Sequence, residues 1–147
     1  MAFPSISELH GMPFLQTAVQ QQSMNPSFAF YLASTNSEVH LGGTNPAFFT
    51  GPIESHPLSA NTGLWQIGDA HFNVNGNHSV ISGFQTIIDS GTTLMFGPPK
   101  DVANVYSHVP GSRLLDEQNG FYEFPCENVP TVSFNWGGRD WAITPEE

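Results

Sequence analysis

The sequence predicts a mainly β fold with two short helices. Two observations carry that expectation. Fourteen glycines and twelve prolines punctuate the chain, which favours many short strands joined by turns. Between those breaks most stretches alternate apolar and polar residues with period two, and only two stretches carry helical spacing.

The elements follow in order. Residues 13–23 (PFLQTAVQQQS) are an expected helix, with Pro13 near its start and Leu15, Val19 and Gln22 along one side. Residues 27–34 (SFAFYLAS) alternate through Phe28, Phe30 and Leu32, and residues 37–43 (SEVHLGG) through Val39 and Leu41. The short link between them makes the pair a hairpin. The stretch from Gly51 to Gly76 reads as three short strands split by SANTG and GDA, and Asn75–Gly83 as a polar turn region. Gln85–Ile88 is a strand, Asp89 opens a turn, and Leu94–Phe96 falls in a second strand. Lys100–Val109 is the second helix, with Val102, Val105 and His108 or Val109 facing inward. FYEFPC, TVSFNW and DWAI are further strands, with Gly137-Gly138 at the tip of a hairpin within NWGGRDW.

Composition bounds the function. With 147 residues and 39% hydrophobic content the chain can bury a core as a single domain, residues 1–147. Thirteen acidic residues face only three basic ones, Lys100, Arg113 and Arg139, for a net charge of −10. Such a chain repels phosphate backbones and anionic lipid, so neither nucleic acid nor membrane is an expected partner. No apolar run is long enough to span a bilayer, and the first residues carry no signal-peptide pattern. Asn77-His78-Ser79 is a glycosylation acceptor pattern and counts weakly for secretion. Cys126 is the sole cysteine; it is a free, half-buried thiol or pairs outside this chain.

The most informative stretch is residues 86–99, TIIDSGTTLMFGPP. An apolar strand delivers one carboxylate, Asp89, into a tight turn. Gly91 permits unusual backbone angles and close approach. Ser90, Thr92 and Thr93 place hydroxyls around the acid, and hydrogen bonds to a carboxylate lower its pKa and fix its direction. An ordinary Asx turn closing a hairpin would need less than this full frame.

That frame resembles the second catalytic-aspartate turn of the pepsin-like aspartic endopeptidases. The resemblance extends in order through FAFYLASTNSEVHLGGTNPAFFTGPIESHPL, GLWQIGDAHFNVNG and FYEFPCENVPTVSFNWGGRDWAITPEE. It implies one lobe of the pepsin-like fold: antiparallel, barrel-like sheets with two short helices. It further implies that Asp89 is a catalytic acid and that Ser90 helps lock two lobes together beneath the site. Gly91 matches the turn glycine, Thr92 the hydroxyl that bonds the outer carboxylate oxygen, and Thr93 a residue that bonds the substrate backbone. The family's first lobe, flap and closing strands have no counterpart in this chain, and the disulfide partner of Cys126 would lie in the closing segment. Peptide or protein substrates are implied, with a complementary lobe or a second copy of the chain as partner. The resemblance also implies a secreted or vacuolar location for a full-length precursor, and no cofactor.

The chemistry requires two carboxylates sharing one water, and only Asp89 sits in a D-S-G frame. Asp69 reads as a turn residue, Asp101 as a helix-start acid, and Asp116 and Asp140 lie outside the frame. Asp69 and His71 share a strand face but lack a third ligand, so no metal is expected. Nothing orients Cys126 with His108 as a nucleophile and base. Trp65, Trp136 and Trp141 alternate with polar residues, which is core behaviour rather than a sugar site. Three functions stay open from the sequence: an acid endopeptidase lobe, a non-catalytic β binding module, and a homodimer whose two Asp89 residues form the acid pair.

Overall fold

The computed structural model describes residues 3–6, 8 and 11–143. It is mainly β, with antiparallel sheets and two helices. Two compact units are present. Among the described residues, one comprises those up to Ser55 together with Asn61–Leu64; the other comprises His56–Ala60 and those from Trp65 onward.

In the first unit, α1 runs Phe14–Gln20 with Pro13 as its N-cap. Proline's fixed φ suits a helix start, where no N–H is needed. The helix stops where Gln22 turns left-handed (φ 54°) and the Ser23 hydroxyl donates to the Ala18 carbonyl at 2.8 Å. Strands β1 (Phe28–Tyr31) and β2 (Glu38–Leu41) pair antiparallel, from Phe28 opposite Leu41 to Tyr31 opposite Glu38. This is the hairpin that the alternation predicts. Asn45 then caps a 3-10 turn, Pro46–Phe48, its Oδ1 accepting the Ala47 N–H at 3.1 Å.

The second unit holds a four-stranded antiparallel sheet ordered β4-β3-β7-β8. Strand β3 is Gln66–Val74, β4 is Asn77–Ile87, β7 is Val132–Asn135 and β8 is Trp141–Ile143. Helix α2, Pro99–Ser107, packs on β4, close to its expected span. Phe72, Val74 and Val109 are the buried centre, covered by Val80, Ile81, Phe84, Val105, Tyr106, Phe124, Val132 and Phe134. Burying Val74 completely contributes on the order of 1.5–3 kcal/mol. A small hairpin of β5 (Arg113–Asp116) and β6 (Phe121–Glu123) stands beside it. Tyr122 of this hairpin stacks on Tyr106 of α2, with ring centroids 4.4 Å apart.

Four expectations are corrected. The GDA segment does not end a strand. It is a bulge within β3, where the register slips between Ile67 and Ala70 and Asp69 takes φ 53°. The polar stretch from Asn75 is mostly strand: the turn is confined to Asn75-Gly76, both at positive φ, and β4 begins at Asn77. That is the two-residue hairpin geometry Asn-Gly favours. Residues 51–65 contain no strand. Leu94–Phe96 form no strand either; their side chains stand 56%, 67% and 76% exposed with no partner strand among the described residues. Strand β5 was not expected, because its short RLLD core lacks alternation. The tip at Gly137-Gly138 is as expected, joining β7 to β8 with Phe134 opposite Trp141.

Candidate active site

Strand β4 carries the site. Its last residues are held against β3, with Ile67 opposite Thr86 and Gln66 opposite Ile87. Beyond the strand's end, the Ile88 N–H still donates to the Trp65 carbonyl at 2.9 Å. The Thr86 hydroxyl donates to the Ile67 carbonyl at 3.1 Å and accepts the Trp136 indole N–H at 2.9 Å. A side chain three residues before Asp89 thus ties β4 to its neighbour and to the end of β7. The residues Trp65, Thr86 and Trp136 have no sequence signal for this role, because their partners are distant in the chain.

Asp89 follows at an exposed non-helical turn. Its Oδ1 accepts the Gly91 N–H at 2.9 Å, and its Oδ2 accepts the Thr92 hydroxyl at 2.6 Å. Both bonds favour the ionised form. They hold the Asp89 pKa below the ordinary aspartate value, the Thr92 hydroxyl being the larger cause and the Gly91 amide the second. Burial opposes them only slightly, since the carboxylate is open to solvent. Gly91 serves close approach. A side chain there would set a Cβ 3.2 Å from Asp89 Oδ1, whereas its φ lies outside the left-handed region. Of the two roles the sequence suggests for Gly91, close approach is the one this turn uses, and unusual backbone angles are not.

Of the three hydroxyls expected around the acid, only that of Thr92 bonds it; Ser90 and Thr93 are exposed, and neither donates to the carboxylate. The other acids have local work. Asp101 lies in the first turn of α2. Asp116 accepts the Asn119 side-chain amide at 2.6 Å and the backbone N–H groups of Gln118 and Asn119. Its pKa is lowered, with the Asn119 side chain the first cause. Asp140 accepts from Asn73 at 3.1 Å and Asn135 at 2.8 Å. Asp69 sits on the β3 bulge, so strand alternation no longer relates it to His71, whose Nδ1 meets the Ser79 hydroxyl at 3.3 Å. No group of three or more metal-ligating side chains occurs among the described residues.

Cys126 opens a 3-10 turn, Cys126–Asn128, with its thiol free and exposed rather than half-buried. The His108 ring nitrogen meets the Asn104 carbonyl and the Ser107 hydroxyl, so nothing joins it to Cys126. Trp136 stacks on Phe134 at 5.5 Å, which is core packing. Among the described residues no helix is long and apolar enough to cross a membrane.

The family model of eukaryotic aspartyl proteases matches residues 1–147. An aspartic protease of Phaffia rhodozyma is 38% identical over 97% of this chain and 36% of its own length. Cathepsin D of Bos taurus is 31% identical over the whole chain and 39% of its own length, and pepsin A of Callithrix jacchus 30% over 97% and 38%. The chain therefore spans well under half the length of these relatives. An aspartate fixed by its own turn on a β sheet, together with a family match along every residue, makes this chain a member of the eukaryotic aspartyl protease family.

Proposed function

We propose that this chain is the larger part of the second lobe of an aspartic endopeptidase and that Asp89 is one of its two catalytic carboxylates. The observation that carries the reading is the pair of hydrogen bonds from Gly91 and Thr92, one to each carboxylate oxygen. They orient the acid and keep it ionised at acid pH, which is the form able to accept a proton from water, though they lower its proton affinity. The second carboxylate is supplied by a complementary lobe, and it stays protonated because two acids at one water do not both ionise; the aspartic-protease pair is itself the standard illustration of that rule. The water oxygen attacks the peptide carbonyl carbon as its proton passes to the ionised acid. The protonated acid donates to the carbonyl oxygen. Collapse of the tetrahedral intermediate then breaks the C–N bond: Asp89 gives its proton to the leaving nitrogen, and the second acid takes one back from the diol oxygen.

In this reading Ser90 braces the junction between lobes and Thr93 bonds the substrate backbone. Substrates are extended peptides, and Cys126 pairs with a cysteine outside this chain. A net charge of −10 suits an acidic secretory or vacuolar compartment, where protonation relieves self-repulsion. A self-paired dimer with two Asp89 residues is the second reading. It is favoured by the exposed apolar residues flanking the acid, Ile87, Ile88, Leu94, Met95 and Phe96.

The test is peptide cleavage of a denatured protein, assayed at acid to neutral pH with and without pepstatin. Monomeric chain should show no turnover. Turnover should appear with the complementary lobe or in a dimer, and Asp89→Asn should abolish it. Turnover that survives Asp89→Asn would overturn the assignment, and pepstatin-sensitive turnover by a proven monomer would overturn the need for a second acid.

A further inference from the structure

We propose that Asn77 is an acceptor of an N-linked oligosaccharide at the solvent-exposed start of β4. Three asparagines, Asn73, Asn75 and Asn77, alternate around the β3–β4 turn. Asn73 is buried; its amide nitrogen donates to the Ser133 hydroxyl at 2.9 Å and to Asp140 at 3.1 Å, while its oxygen accepts the Ser79 N–H at 2.8 Å. Asn75 is also engaged at both ends, donating to the His108 carbonyl at 3.0 Å and accepting the Thr131 N–H at 3.0 Å. Asn77 alone of the three has an exposed side chain with no hydrogen-bond partner among the described residues.

It is also the one of the three that begins an Asn-X-Ser triplet, Asn77-His78-Ser79. Elsewhere in the chain Asn25-Pro26-Ser27 has the outline of such a triplet, but proline at its centre excludes it. Space is available. His78 and Ser79 are exposed, and a Cβ built on neighbouring Gly76 meets nothing within 4 Å. Strand β4 is the outer strand of its sheet, paired to β3 on one side, with the Asn104 side chain of α2 donating to its Val80 carbonyl at 2.8 Å.

The reaction needs a polyprenyl-diphosphate-linked oligosaccharide and its transferase. The Asn77 amide nitrogen attacks C1 of the first sugar and a new N–C1 bond forms. The C1–O bond breaks, the diphosphate leaves with its electron pair, and the amide gives up one proton to the transferase. The inference rests on the lumenal placement proposed above, but not on any proteolytic activity.

The experiment expresses the full chain behind a cleavable secretory leader in a eukaryotic host and measures its intact mass. Leader removal reports entry into the lumen independently of glycosylation. The expected result is leader-cleaved chain carrying one glycan, lost in Asn77→Gln and in Ser79→Ala. Amidase release converts the acceptor asparagine to aspartate, so peptide mapping places the site. Leader-cleaved chain at its bare mass overturns the proposal, and so does a glycan that persists in Asn77→Gln. Because the Asn77 side chain makes no contact that folding uses, Asn77→Gln is also expected to leave the thermal midpoint unchanged.

Discussion

Thr86→Val tests whether the Asp89 turn is held by a network that reaches away from it. Valine keeps the β-branched shape, so the change removes a hydroxyl and little else. That hydroxyl donates to the Ile67 carbonyl and accepts the Trp136 indole N–H. A hydrogen bond contributes about 0.5–1.5 kcal/mol net, and a buried donor left without a partner costs about 1–3 kcal/mol. Trp136 is half-buried, so its N–H regains some water and the lower end applies. The expected loss is about 2 kcal/mol, equivalent to a fall of roughly 1 M in the urea midpoint. Amide exchange at Ile88, whose N–H bonds the Trp65 carbonyl, should quicken with it. Thr86→Ser keeps the hydroxyl and should stay within about 0.5 kcal/mol of the parent chain. A Thr86→Val chain as stable as the parent would refute the reasoning. So would a serine variant as damaged as the valine one, because shape rather than hydrogen bonding would then be responsible.

Two further outcomes are expected. Thr92→Val removes the larger cause of the lowered Asp89 pKa, so carboxyl-carbon NMR should show that pKa rising toward the ordinary value of about 3.9. The sign for stability follows: a depressed folded pKa contributes above the ordinary value and is lost as pH falls through the folded one, so the parent chain should lose more stability than Thr92→Val as pH falls through and below the ordinary aspartate range. An unmoved Asp89 titration would count against the hydrogen bond. Val74→Ala removes two methyls from a fully buried site and should cost about 2–3 kcal/mol in urea unfolding, whereas Val39→Ala, at a position 53% exposed, should cost under about 0.5 kcal/mol; equal losses would place the core elsewhere.

Local chemistry made part of this structure legible. The β1–β2 hairpin, α2 and the turn at Asp89 each depend on neighbours in sequence: alternation, helical spacing, and an acid followed by small and hydroxylated residues. The misreadings share one physical cause, that pairing is non-local. Gly68 and Asp69 look like a break, yet β3 continues because β4 and β7 flank it and a bulge absorbs the extra residue. Leu94–Phe96 look like a strand, yet apolar residues become a strand only when another strand meets their backbone groups. A hydroxyl beside the carboxylate was readable, since Thr92 lies three residues on; the Gly91 backbone bond was not foreseen. The tie from Trp136 to Thr86 spans fifty residues and was not.

The same division between local and distant explains the state of the acid. Catalytic carboxylates draw their strength from fixed hydrogen bonds and from exclusion of water. Under the role proposed for Asp89, its turn supplies the hydrogen bonds, while the carboxylate itself stands open to solvent. Asp89 is solvent-exposed, and so are Ile87 and Ile88 before it and Leu94, Met95 and Phe96 after it, at 52–76%. Hydrogen bonds acting without burial push the pKa down, which makes a well-oriented but weakly basic carboxylate. Covering those apolar side chains would remove water from the acid and push its pKa back up. A second carboxylate at the same water would then couple to it, so that one proton is shared by the pair. In the proposed reading the turn aims the carboxylate, and a body that covered Ile87, Ile88 and Leu94–Phe96 would raise its proton affinity.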